Sequence, residues 1–176
     1  MKYCILGLLL LAIVDFNIQA QPVNQNKLSA ILKEQATKMG SAFVGGDYKT
    51  FAKYNNPKIL QIVGGEAKMT AALIKTITDM KAKGMSFKSI TLGDPSAIVK
   101  CGKELQATIP QHTEISTSPG RAVSTSTLIG ISTDNGMNWT FIDTLNKDIV
   151  TIKKLLPNLS PAITIPPQQP QVRYNL

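Results

Sequence analysis

The spacing of apolar residues changes once along this chain, at Gly84, and that change constrains the fold more than any single motif does. Ahead of Gly84 the apolar residues recur every three or four positions, as one face of a helix requires. Behind it the chain turns to Ser, Thr, Val and Ile, broken by turn dipeptides at regular intervals, as strands require. A helical front half followed by a β-rich back half reads as an α+β domain.

Leu28, Ile31, Leu32, Met39 and Phe43 share one face of a helix expected over residues 25–44, which Gly45-Gly46 ends. Asp47 suits the N-cap of a short second helix carrying Phe51 and Tyr54, and Asn56-Pro57 supplies cap and first residue of a third. From Glu66 the stripe Met69, Leu73, Ile77 and Met80 marks an amphipathic core helix. Lys81 and Lys83 suit the negative end of its dipole, and Gly84 suits a left-handed stop.

Strands are expected at 87–92, 97–101, 104–109, 113–117, 122–133 and 138–144, with some neighbours merging. Leu105, Ala107 and Ile109 alternate with Glu104, Gln106 and Thr108, the mark of a sheet with one packed face and one wetter face. Ser118-Pro119-Gly120-Arg121 places proline and glycine where a type II turn prefers them. The segment Ser132-Thr133-Asp134-Asn135-Gly136-Met137-Asn138-Trp139 is similar to the S-x-D-x-G-x-x-W hairpin known as the Asp box. Its Asp can accept N–H groups inside the loop, Gly136 can take a positive φ, and the indole can cover the hairpin. One copy in a chain this short reads as a turn-stabilising device and implies no glycosidase.

The order of these elements, with Gly46-Asp47-Tyr48, the short helix before Asn56-Pro57 and the closing Trp139-Thr140-Phe141-Ile142-Asp143, resembles the nuclear transport factor 2-like (cystatin-like) superfamily over about residues 25–156. The resemblance implies N-terminal helices packed in a strongly curved antiparallel sheet, forming a cone with a pocket at its open end. Its members include cofactor-free isomerases, dehydratases and cyclases, and others that only bind a ligand or a partner, so fold alone does not assign a function. Enzymatic members imply an aspartate or histidine in the pocket, often facing a tyrosine. The candidates for a catalytic base are Asp143 and His112, and those for ligand contact are Tyr48, Tyr54 and Trp139. Four of these have an alternative: Asp143 as a strand end or cap, His112 as a loop residue, and the two tyrosines as packing residues with a polar tip. A homodimer formed through the sheet is a further arrangement the resemblance implies.

Met1-Lys2-Tyr3 followed by an apolar run from Ile5 to Val14 and then Ile18-Gln19-Ala20 reads as a signal peptide over residues 1–20, with the exported chain beginning near Gln21. Asp15, Asn17 and Gln19 interrupt the run short of the roughly 20 apolar residues a membrane span needs, so no span is expected after cleavage. Cys4 would leave with the leader, and Cys101 then reads as a small apolar core residue with no disulfide partner. The formal charge of +8 is spread along the helices on lysines, with only Arg121 and Arg173 as arginines. Nucleic-acid recognition usually uses clustered arginine and stacking aromatics, so no nucleic-acid partner is expected. A lone histidine completes no metal site, and Gly45-Gly46 and Gly64-Gly65 lack the strand-to-helix setting of a phosphate loop, so no metal or cofactor is implied.

Half of the ten prolines fall after Leu156, at Pro157, Pro161, Pro166, Pro167 and Pro170. Residues 157–176 therefore read as an extended tail beyond a domain at 21–156, able to lie across that domain through Ile163 and Ile165. The expectation for function is an exported, non-catalytic module that binds a small apolar or amphipathic ligand in the cone, or a protein partner. A cofactor-free isomerase, dehydratase or cyclase using Asp143 or His112 is the alternative.

Overall fold

A computed structural model describes residues 24–175. The leader at 1–20, Cys4 and the start near Gln21 lie outside the described residues. Four helices come first: α1 (Gln25–Val44), α2 (Tyr48–Lys53), α3 (Pro57–Val63) and α4 (Glu66–Ala82). Strands β1 (Ser86–Leu92), β2 (Val99–Cys101), β3 (Glu104–Ser116), β4 (Arg121–Ser132) and β5 (Thr140–Asp143) follow, then α5 (Ile149–Leu155) and a short β6 (Val172–Tyr174). The fold is α+β, with the strands forming one strongly curled antiparallel sheet. No helix among the described residues is long and apolar enough to cross a membrane.

The helix boundaries follow from caps. The carboxamide of Asn24 accepts from Lys27 N, Asp47 Oδ1 accepts from Thr50 N at 3.0 Å, and Asn56 Oδ1 accepts from Lys58 N at 3.0 Å. Each satisfies an N–H that the first helical turn leaves free. Hydrogen bonding holds the Asp47 carboxyl below the ordinary aspartate range, led by the contacts with Thr50.

The sheet is organised on β3 and β4, whose ladder runs unbroken from Leu105↔Ser132 to Ser116↔Arg121. Two strands expected from the sequence, at 104–109 and 113–117, are thus one, and Pro110 lies inside it. In an antiparallel ladder a residue's N–H and C=O point to the same side. The Pro110 carbonyl accepts from Gly93 N at 2.9 Å, so its missing donor falls where β1 has ended and β2 has not begun. Proline therefore costs the strand no ladder bond. The connection from β3 to β4 also differs from a type II turn: the Ser118–Pro119 peptide is cis and Thr117 N donates to Gly120 O.

Both faces of the sheet are covered. On the inner face Leu105, Ala107, Ile109, Leu128, Trp139 and Phe141 pack with Leu32, Ala36 and Met39 of α1. On the outer face Ile129, Ile131 and Ile142 pack with Ile152 and Leu156 at α5 and with Leu159 and Ile163 of the segment that follows. The Pro-rich segment is mostly without regular structure, yet Gln106 anchors its start. The Gln106 amide donates to Asn158 O at 3.0 Å and accepts from Ser160 N at 2.8 Å.

The edge of the sheet beyond β4 is closed piecewise. β5 pairs with Leu128–Ile131, and the chain between α2 and α3 covers its far side through Phe141 N to Tyr54 O and Asn56 N to Phe141 O. β6 pairs with Arg121–Val123, and between the two strands Thr144 N donates to Thr127 O and the Gln168 amide donates to Thr125 O. Unpaired edges invite other strands, and the chain itself covers most of this one.

α1 approaches β4 closely enough that Gly130 leaves no room for a side chain: an added Cβ would lie 2.6 Å from Leu32 Cδ1 and 3.3 Å from the Trp139 ring. Gly130→Ala is therefore expected to destabilise the fold by about 1–3 kcal/mol through overpacking. Urea denaturation should show a lower midpoint at unchanged slope.

Candidate functional site

Alternation along β3 separates the two candidate bases. Gln111 shares the inner face with Ile109, so His112 points outward, where its Nδ1 lies 3.1 Å from Thr125 Oγ1. Asp143 stands opposite Leu128 on the inner face. Its Oδ2 accepts from Gln111 Nε2 at 3.1 Å and its Oδ1 accepts from Leu145 N at 2.9 Å, closing the turn after β5. Asp143 and His112 thus face opposite sides of the sheet and form no acid–base pair.

The three candidates for ligand contact are also separate. Trp139 is 2% exposed within the inner core, and its indole N–H donates to Gly136 O at 3.1 Å. Tyr54 packs on Phe141, with ring centroids 6.5 Å apart, and Tyr48 packs edge-on against Phe43 at 6.0 Å. Helix α1 fills the inner face where the sequence pointed to a pocket, and Trp139 and Tyr54 belong to that filling, while Tyr48 packs at the end of α1.

The loop from Ser132 to Trp139 performs the chemistry its sequence pattern suggests. Asp134 Oδ1 accepts from Asn138 N at 2.9 Å and from Ser132 Oγ at 2.8 Å, and its Oδ2 accepts from Asn138 Nδ2 at 2.7 Å. Those bonds, foremost the Asn138 N–H, hold the Asp134 carboxyl below the ordinary aspartate range. Asn135 and Gly136 carry the positive φ values of the turn, 59° and 86°. Gln35 of α1 then clamps the loop to the helix, donating to Met137 O at 2.8 Å and accepting from Trp139 N at 2.8 Å.

One side of this loop borders a cleft of about 300 Å³ on the outer face. Ile131, Leu155 and Leu156 supply its apolar surface. Glu104, Asp134, Asn138 and Asn158 supply polar groups, and Asn56 to Lys58 bring the start of α3 to the opposite wall. Glu104 Oε2 already accepts from Gln106 Nε2 at 2.7 Å, the amide that also anchors the tail. The cleft therefore exists because α5 turns away at Pro157 while the tail is held back against β3. It offers apolar contact, fixed acceptors on two carboxylates, and amide groups able to donate or accept. None of the five candidate residues named from the sequence lines it. The sequence signals that touch it are the Asp134 loop, read there as a turn, and Asn56-Pro57, read as a helix start; the remaining lining comes from segments far apart in the chain.

Compared with known proteins, the chain matches no protein-family model and no curated protein. The cleft is thus read from its own residues, and Asp134 is the one that ties it to stability. A carboxyl with a depressed folded pKa stabilises fully above the unfolded value and loses that contribution as pH falls through the folded one. Asp134→Ala should cost about 1–2 kcal/mol at pH 7, the scale of a lost capping carboxylate. The gap between variant and parent should narrow as urea curves are taken from pH 5 down through the unfolded aspartate value of about 3.9.

Proposed function

We propose that this protein is an exported, non-catalytic binding module, and that it takes a small amphipathic molecule in the outer cleft. The observation carrying this reading is the composition of the cleft: an apolar surface of Ile131, Leu155 and Leu156 faces the acceptors Glu104 and Asp134. A ligand with a short apolar body and hydroxyl or amine donors satisfies both. The cleft volume of about 300 Å³ sits at the lower end of the range of small-molecule sites, about 300–1,000 Å³.

The opposed placement of Asp143 and His112 supports a binding role over the isomerase, dehydratase or cyclase alternative, since each side chain is spent on local contacts. The order of helices ahead of a curled antiparallel sheet supports placing the fold with the nuclear transport factor 2-like superfamily. The filling of the inner face moves the ligand from the cone to the outer side of the sheet. A homodimer through the outer face is disfavoured where α5 and the tail already cover Ile129, Ile131 and Ile142.

The test is a ¹H–¹⁵N titration with octyl glucoside below its micelle concentration, a probe with an alkyl body and hydroxyl donors. Shifts should gather at Ile131, Asn138, Leu156 and Asn158. Leu155→Asp, which puts a charge on the apolar wall, should weaken binding about tenfold or more. Shifts centred on the inner face at Asp143 and Gln111, or unchanged affinity in the variant, would contradict this assignment.

A further inference from the structure

A second cleft, at the opposite end of the β3–β4 hairpin, has a different chemistry. It occupies about 370 Å³ between the end of α4 and the last strand. Ladder register sets one wall: Ile115 stands opposite Ala122, and Ala122 stands opposite Arg173, so the three side chains form one row across β3, β4 and β6. Met85, just after α4, adds to the apolar surface, and Lys83 adds a second cation.

No carboxylate side chain lines this cleft among the described residues. Three surface lysines elsewhere meet acids, Lys38 with Glu34 and Lys75 with Asp79 within a helix and Lys33 with Asp94 across the fold, while most of the other described lysines do not. Arg121 also lines the cleft, but its guanidinium is committed to Glu114 at 3.0 Å and to the Tyr174 ring at 4.6 Å. Lys83 and Arg173 have no ion-pair partner among the described residues. Both arginines of the chain, 52 residues apart in sequence, thus meet at one place with different assignments: Arg121 fastens β6, and Arg173 is left facing the cleft.

We infer that this cleft binds a small organic carboxylate, with the carboxylate between Arg173 and Lys83 and a short apolar body against Met85, Ile115 and Ala122. A guanidinium presents paired N–H donors that match a carboxylate, and the ammonium adds a second charge-assisted bond. The apolar row beside them distinguishes this from a general anion patch, because an inorganic ion leaves that surface unused.

The experiment is a ¹H–¹⁵N titration of the protein at low ionic strength with hexanoate, with hexylamine as the same body of opposite charge and inorganic sulfate as an anion without the body. Hexanoate should shift the amides of Ala122, Gln171 and Arg173, sulfate should bind more weakly, and hexylamine should leave them in place. Arg173→Gln should weaken hexanoate binding by about tenfold or more, as loss of a charge-assisted hydrogen bond does. Lys83→Gln, outside β6, should weaken it in the same direction even if Arg173→Gln loosens the strand. Lys153→Gln on α5 should change nothing. Equal binding of sulfate and hexanoate would overturn the organic ligand. Equal response to hexylamine, shifts spread over the lysines of α4 and α5, or undiminished affinity in both cleft variants would overturn the site.

Discussion

The β3–β4 hairpin needs apolar cover on both of its faces, and most of the remaining structure is arranged to supply it. Its twelve facing residue pairs carry Leu105, Ala107, Ile109 and Leu128 toward one side and Ile129 and Ile131 toward the other. Either set left in water would forfeit about 1.5–3 kcal/mol for each large side chain. α1 answers the first set, and α5 with the tail answers the second. Two glutamines fix the two covers in the same way. Gln35 reaches from α1 to the backbone of the Asp134 loop, and Gln106 reaches from β3 to the backbone of the tail. In each case one amide both donates and accepts, satisfying irregular backbone that has no ladder or helix partner.

The two clefts are consequences of that cover. α5 and the tail meet the sheet along Ile129, Ile131 and Ile142 but part company near Pro157, and the outer cleft opens in the gap. At the far end β6 is three residues long and exposed, so beside α4 Arg173 and part of Ile115 stay open to solvent above the buried Ala122. Gly120 allows β6 to lie there. Its φ of +96° is one that L side chains rarely adopt, and the Tyr174 carbonyl occupies the space a Cβ would need.

Much of the framework was legible in the sequence because its signals are local. Asp47, Asn56-Pro57 and Gly84 punctuate the helices where a side chain or a positive φ has to act, and each does so within a few residues of itself. The merging of two strands across Pro110 was hidden, since whether proline loses a bond depends on where a neighbouring strand stops. The tail was half legible: its prolines excluded helix and Ile163 and Ile165 marked where it could lie on the domain, while the burial of Leu159 depends on an outer face that α5 leaves uncovered. The candidate sites were the least legible part. His112 and Asp143 look alike as isolated titratable residues, and only the register assigns them to opposite faces. The outer cleft draws on α3, β3, β4, the Asp134 loop and the end of α5, and no short stretch of sequence contains its chemistry.

Amide hydrogen exchange followed by mass spectrometry tests most directly whether the tail belongs to the fold as the outer cover of the hairpin. Local openings expose amides at their own free energy, while a cooperative unit exposes them together. The account predicts that Ser160 and Ile163, whose N–H groups are bonded to Gln106 and Ser160, exchange with the slow amides of Ile129 and Ile131 in β4. Val172 to Tyr174 in the exposed β6 should exchange faster. Rapid exchange at Ser160 and Ile163 beside a protected β4 would show a tail resting on a hairpin that does not need it, and would contradict the account.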